Sequence, residues 1–143
     1  MTSTLLTASS RTPDQPAAPR ILLYSDNRDT RAEVLAAVGQ RVGPRGVPVR
    51  WTEAASPAAA LAEAATLDYA LVVADAEAGK LGGIGLARQL EQELAAAPPI
   101  LILAARAQDA WLGSWSGAVE AILLPADPFE LGAAVARLLG VDA

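Results

Sequence analysis

The sequence predicts an α/β protein: a doubly wound, five-stranded parallel sheet with helices on both faces. Two observations carry that expectation. From Ile21 onward, a short apolar run, a turn signal and an alanine-rich amphipathic stretch follow one another five times, the pattern of βα units. The third apolar run, Tyr69 to Ala74, is continuous rather than alternating, as a strand buried on both faces is. Residues 1–19 carry Ser, Thr, Pro and Gln without either period and read as a disordered N-terminal tail, leaving 20–143 as the folded domain.

The first strand is Ile21 to Tyr24. Asp29 is the expected cap of a helix from about Thr30 to Val42, with Ala32, Val34, Leu35 and Val38 as its apolar stripe and Gly43-Pro44 as its stop. The second strand, Val47 to Thr52, contains Pro48, which suits an edge. Ser56-Pro57 reads as cap and first residue of a helix to about Ala65. Strand three ends at Asp75. A glycine-rich loop, Gly79 to Gly85, leads into a helix from Leu86 to Ala97, stopped by Pro98-Pro99. Strand four is Ile100 to Leu103, a short helix spans about Ala110 to Trp115, and strand five is Ala121 to Leu124. Asp127, Pro128 and Glu130 then open the last helix, with Leu131, Val135 and Leu138 on its apolar side. The expected strand order is 2-1-3-4-5, the flavodoxin-like arrangement, whose ligands sit beyond the carboxyl ends of the strands.

Composition removes several kinds of chemistry. The chain has no Cys and no His, so disulfides, thiol nucleophiles, imidazole bases and a Ser-His-Asp triad are excluded. Sixteen acids against 11 bases give a net charge of −5, which disfavours nucleic acid as a partner. No apolar run approaches the length of a membrane span, and the N-terminus lacks the basic lead of a signal peptide, so a cytoplasmic location is expected. The preference for Ala, Arg, Gly and Pro points to a GC-rich bacterial source of actinobacterial type.

The residues to inspect are therefore those at the strand ends: Ser25 and Asp26, Asp75, Ala104, and Leu124 with Pro125. Two carboxylates, Asp26 and Asp75, are expected on neighbouring strand ends. Such a pair repels unless one member is protonated or a cation such as Mg2+ lies between them. The plain alternative is two ordinary loop aspartates.

From Arg20 to Leu139 the chain resembles the response regulator receiver domains of two-component signalling. Ile21-Leu22-Leu23-Tyr24-Ser25-Asp26 resembles the first strand and acidic pair, and Leu71-Val72-Val73-Ala74-Asp75 the strand ending at the phosphoacceptor aspartate. Gly82-Gly83-Ile84-Gly85-Leu86 stands where the family has its Asp-Gly-hydrophobic turn. Leu101-Ile102-Leu103-Ala104-Ala105-Arg106 is similar to the fourth strand and its Leu-Thr-Ala-Arg ending, and Leu123 to Leu131 to the Lys-Pro segment and the helix after it. The resemblance implies that Asp75 takes a phosphoryl group. It also implies that Mg2+ is held by the acidic pair, by Asp75 and by the backbone carbonyl of Glu77.

The departures all fall in the site. Ser25 replaces the first acid, Ala104 the hydroxyl residue, Leu124 the lysine, and Ala121 the aromatic three positions before it. A cation about 4 Å from a phosphoryl anion is worth roughly 4 kcal/mol at an effective dielectric near 20, before desolvation. Its loss predicts a weak Mg2+ site and a degraded switch. Lys80, the single lysine, is a candidate replacement cation.

Trp111 and Trp115 are four apart and would share one helix face, either as anchors for a partner or as core residues covering the sheet. Trp51 is expected to pack under the second helix or to lie half-exposed. Arg28, Arg31 and Arg106 are expected to pair on the surface with Asp29, Glu33 or Asp109. The glycine-rich loop matches no phosphate-cradle spacing, and the first loop is too acidic for flavin. The chain ends soon after Leu139, so it reads as a stand-alone receiver-like protein and not an enzyme. Its expected partners are proteins: a sensor kinase, a downstream enzyme, or a second copy through helix 4, strand 5 and helix 5. The alternative is a phosphorylation-independent pseudo-receiver module docking through the Trp111/Trp115 face. A magnesium-dependent phosphotransfer or hydrolase enzyme would need a general acid or base beyond the two aspartates.

Overall fold

The computed structural model describes residues 17–77, 82–105 and 119–143. Among these the chain runs β1 (Arg20–Tyr24), α1 (Arg28–Val38), β2 (Arg41–Val42), β3 (Val47–Pro48), β4 (Arg50–Ala54), α2 (Pro57–Thr66) and β5 (Leu71–Asp75). It continues through α3 (Gly83–Glu93), β6 (Ile100–Ala104), β7 (Val119–Leu123) and α4 (Pro128–Leu139). Five strands form one sheet in the order β4-β1-β5-β6-β7, with every pairing parallel. This is the expected 2-1-3-4-5 order once the small β2-β3 hairpin is set aside.

Side-chain parity on the central strands divides the core into two layers, because successive residues of a strand point to opposite faces. Leu22 and Tyr24 of β1, Val72 and Ala74 of β5, and Ile100 and Ile102 of β6 are buried on one face with Ala60 and Ala64 of α2 and Leu86, Ala87 and Leu90 of α3. Ile21, Leu23, Leu71, Val73, Leu101 and Leu103 are buried on the other, against Val34 of α1 and Leu131, Ala134 and Val135 of α4. A strand covered on both sides must be apolar at every position, which is why β5 and β6 read as unbroken runs.

The helix starts follow from local chemistry. The Ser56 hydroxyl accepts from the Ala59 amide at 3.1 Å with Pro57 as the first helical residue, and the Asp127 carboxylate accepts from the Phe129 amide at 2.8 Å ahead of Pro128. Helix α3 has no side-chain cap and begins on glycines because it lies close against the end of β5. A Cβ at Gly82 would stand 2.6 Å from the Ala76 carbonyl oxygen, and one at Gly83 would stand 3.0 Å from that of Ala74.

Five expectations are corrected. The cap of α1 is Asn27, not Asp29: its side-chain oxygen accepts from the amides of Asp29 and Thr30 at 2.8 and 3.2 Å. The same helix ends at Val38 rather than Val42, because Gly39 turns the chain at φ 79°, and Arg41–Val42 then pairs antiparallel with Val47–Pro48. The second strand divides at Val49, since Pro48 offers no amide to a ladder; only Arg50–Ala54 joins the main sheet, at its edge. Helix α3 begins three residues before Leu86 and stops at Glu93. Pro19, assigned to the tail, accepts from the Arg50 amide at 2.8 Å. The expected helix around Ala110–Trp115, with Trp111 and Trp115, lies outside the described residues, as do residues 1–16, Lys80 and Arg106.

Replacing Asn27 by Ala is expected to lower unfolding free energy by about 1 kcal/mol, whereas Asp29→Ala forfeits only the few tenths that a first-turn charge contributes. Urea denaturation of both variants distinguishes the caps; an equal loss, or a larger one for Asp29, contradicts the assignment.

Candidate functional site

Parallel register builds the site. Ile21 to Tyr24 of β1 pair with Leu71 to Ala74 of β5, so Ser25, the next residue, comes level with Asp75. The Ser25 hydroxyl donates to Asp75 Oδ2 at 2.7 Å, and the Glu77 amide donates to Oδ1 at 2.8 Å. Ser25 is fully buried and Asp75 is 6% exposed. A carboxylate out of water needs donors on its oxygens, and here both oxygens have one.

Ser25 is itself held from every side. Its amide donates to the Ala54 carbonyl at 3.2 Å, its hydroxyl oxygen accepts from the Asn27 amide at 3.0 Å, and its carbonyl accepts from Arg31 at 2.6 Å. Arg31 rises from the first turn of α1 and also donates Nε to Glu53 Oε1 at 2.9 Å, tying α1 to β4 and to the turn after β1. Glu53 is thus its partner rather than Asp29 or Glu33, while Asp109 lies outside the described residues. A pairing between a helix and a strand 22 positions on was invisible to a search among near neighbours in sequence. Trp51 is half-buried as expected, but on the α1/α4 face, where its indole N–H donates to the Gly39 carbonyl at 2.9 Å.

The other predicted positions lie at the same end of the sheet. Asp26 is exposed, one residue beyond Ser25, and lines a cleft of about 250 Å³ with Tyr24, Ala55, Ser56 and Pro57. Ala104 is fully buried at the end of β6, and its carbonyl accepts from the Leu124 amide at 2.7 Å. The Leu124 side chain packs against the α1/α4 apolar layer, and Ala121 against the opposite one. The peptide between Leu124 and Pro125 is cis. The structure therefore brings Ser25, Asp26, Asp75, Glu77, Ala104 and Leu124 to one edge, while Lys80, Trp111 and Trp115 fall outside the described residues.

The fold that carries this edge is shared with known proteins. Two curated relatives from strains of Mycobacterium tuberculosis, each described as an uncharacterized response regulatory protein, are 42% identical over 131 residues, covering 92% of this chain and 98% of theirs. The chain belongs to the response regulators. No family model matches it. Solved structures with the same fold include the chemotaxis response regulator CheY4 of Vibrio cholerae, at TM-score 0.69 and 18% identity, covering 85% of this chain and 99% of that one. The signal receiver domain of a LuxO repressor protein from Vibrio parahaemolyticus gives TM-score 0.73 at 17% identity, covering 87% and 92%. The fold is thus that of the receiver domain of a two-component system, and receiver domains bind Mg2+ where they are phosphorylated.

The donor set of this receiver is thin for that ion. Among the described residues, no group of three or more Asp, Glu, His or Cys side chains gathers to hold a metal. The donors expected of the site, the Asp26 and Asp75 carboxylates and the Glu77 carbonyl, would leave much of the coordination of a magnesium ion to water.

Arg31→Met is expected to destabilise the fold by about 1–2 kcal/mol, chiefly by leaving the Ser25 carbonyl without its charged donor. Glu53→Gln costs less than about 1 kcal/mol, because Glu53 is half-exposed and its ion pair is screened. Chemical denaturation of both variants checks the ranking, and the reverse order would refute it.

Proposed function

We propose that this receiver signals through protein contacts with Asp75 as its phosphoacceptor and a degraded phosphorylation switch. In the expected chemistry an Asp75 oxygen attacks the phosphorus of a donor, an acyl phosphate forms, and the donor's leaving group departs with the bonding electrons. Asp26, Asp75 and the Glu77 carbonyl are the residues that would hold magnesium, whose charge offsets that of the phosphoryl oxygens. Ala104 has no hydroxyl to donate to the phosphoryl group, and Leu124 supplies no cation. With Ser25 and Ala121, these are the degenerate positions of the switch.

The observation that carries the reading is the seating of Leu124. It packs with the α1/α4 apolar layer, so this position brings no positive charge to a phosphorylated site. Without either residue, phosphorylation has little purchase on the neighbouring elements, and a shift of even 1.4 kcal/mol changes a two-state ratio tenfold. In this reading the chain is a cytoplasmic signalling protein without turnover of its own, and its partners are a sensor kinase, a downstream enzyme or a second copy. The second reading, a pseudo-receiver docking through Trp111 and Trp115, draws support from the protein donor that already occupies each oxygen of Asp75.

Incubation with acetyl phosphate and MgCl2, followed by intact-mass measurement, tests the proposal. A slow, partial adduct of about 80 Da that vanishes in Asp75→Asn is expected. Complete modification within the mixing time contradicts a degraded switch, and no adduct at all leaves the pseudo-receiver reading in its place.

A further inference from the structure

The hydroxyl of Ser25 does more than fail to be a carboxylate. All four of its hydrogen-bonding functions are engaged: the amide on Ala54, the carbonyl under Arg31, the hydroxyl oxygen under the Asn27 amide, and the hydroxyl proton on Asp75 Oδ2. The residue is fully buried, and no buried side-chain polar atom among the described residues lacks a partner. Turning the hydroxyl so that its oxygen faced a cation would break the bonds to Asn27 and Asp75 together. Its hydrogen, and not a lone pair, is therefore what Ser25 presents at the Asp75 carboxylate.

We propose that the Ser25 hydroxyl competes with Mg2+ for Asp75. This rests on the reading of Asp75 as the acceptor and names what regulates its metal occupancy. The proton sits on Oδ2 of the carboxylate that would hold the metal, and supplies the positive end of a dipole where a metal would supply charge. Magnesium demands near-octahedral geometry and gives up its waters reluctantly, so it is poorly suited to displace a donor fixed on four sides. A serine that were only a missing ligand would leave Asp75 more eager for a cation; this one partly satisfies it.

The two roles make opposite predictions for one substitution. Removing the hydroxyl removes a competitor, so the EDTA-treated full chain with Ser25→Ala binds Mg2+ roughly tenfold more tightly than the wild type in calorimetric titration with MgCl2, the worth of one hydrogen bond to a charged group. Ser25→Cys, of similar shape and with a weak donor, falls between them and carries the same comparison if the alanine variant does not fold. Adding Asp75→Asn to the tighter variant abolishes the gain. Equal or weaker binding in Ser25→Ala and Ser25→Cys overturns the proposal, as does a gain that survives Asp75→Asn. No phosphodonor enters the titration, so its failure is separate from a failure of Asp75 to accept a phosphoryl group.

Discussion

The hydrogen bond between Ser25 and Asp75 is where the fold and the site become one problem. It exists because β1 and β5 are paired in parallel with a register that brings the residues following them level. A slip of one residue in either strand would move every side chain in it to the opposite apolar layer, against neighbours whose shapes it does not fit, and would take Ser25 out of level with Asp75. The continuous burial of β1 and β5 on both faces therefore fixes the position of the acidic edge as firmly as it fixes the core.

Among the described residues the same edge is short of positive charge: Arg31 spends its donors on the Ser25 carbonyl and on Glu53. The position after β7 holds a leucine that packs with the core, and the end of β6 holds a buried alanine. Among the described residues, what keeps Asp75 in place is a pair of neutral donors, a hydroxyl and a backbone amide. A site stabilised in this way has less to gain from binding a cation or an anion than one built on opposed charges.

The parts legible in the sequence were those governed by periodicity and by strong local signals. The five βα units, the strand order, and the Ser56-Pro57 and Asp127-Pro128 helix starts all followed from where apolar runs begin and end; the pair expected at the strand ends was Asp26 with Asp75, whereas the hydrogen bond joins Ser25 to Asp75. The parts that were not legible depend on single backbone angles or on pairs between elements distant in sequence. Gly39 at positive φ ends α1 four residues early and frees Arg41–Val42 for a hairpin, although nothing in the apolar pattern marks it above Gly43. Asn27 and Asp29 are both competent caps, and only the chain's direction at the end of β1 selects the former. The Arg31 to Glu53 pair joins residues on different elements that sequence proximity could not connect.

A double-mutant cycle on Ser25 and Asp75, comparing Ser25→Ala, Asp75→Ala and the double variant by urea denaturation, measures the interaction on which this account stands. A coupling of about 1.5–3 kcal/mol is predicted, as for a buried hydrogen bond to a charged group. Additive losses, with no coupling beyond error, would contradict it.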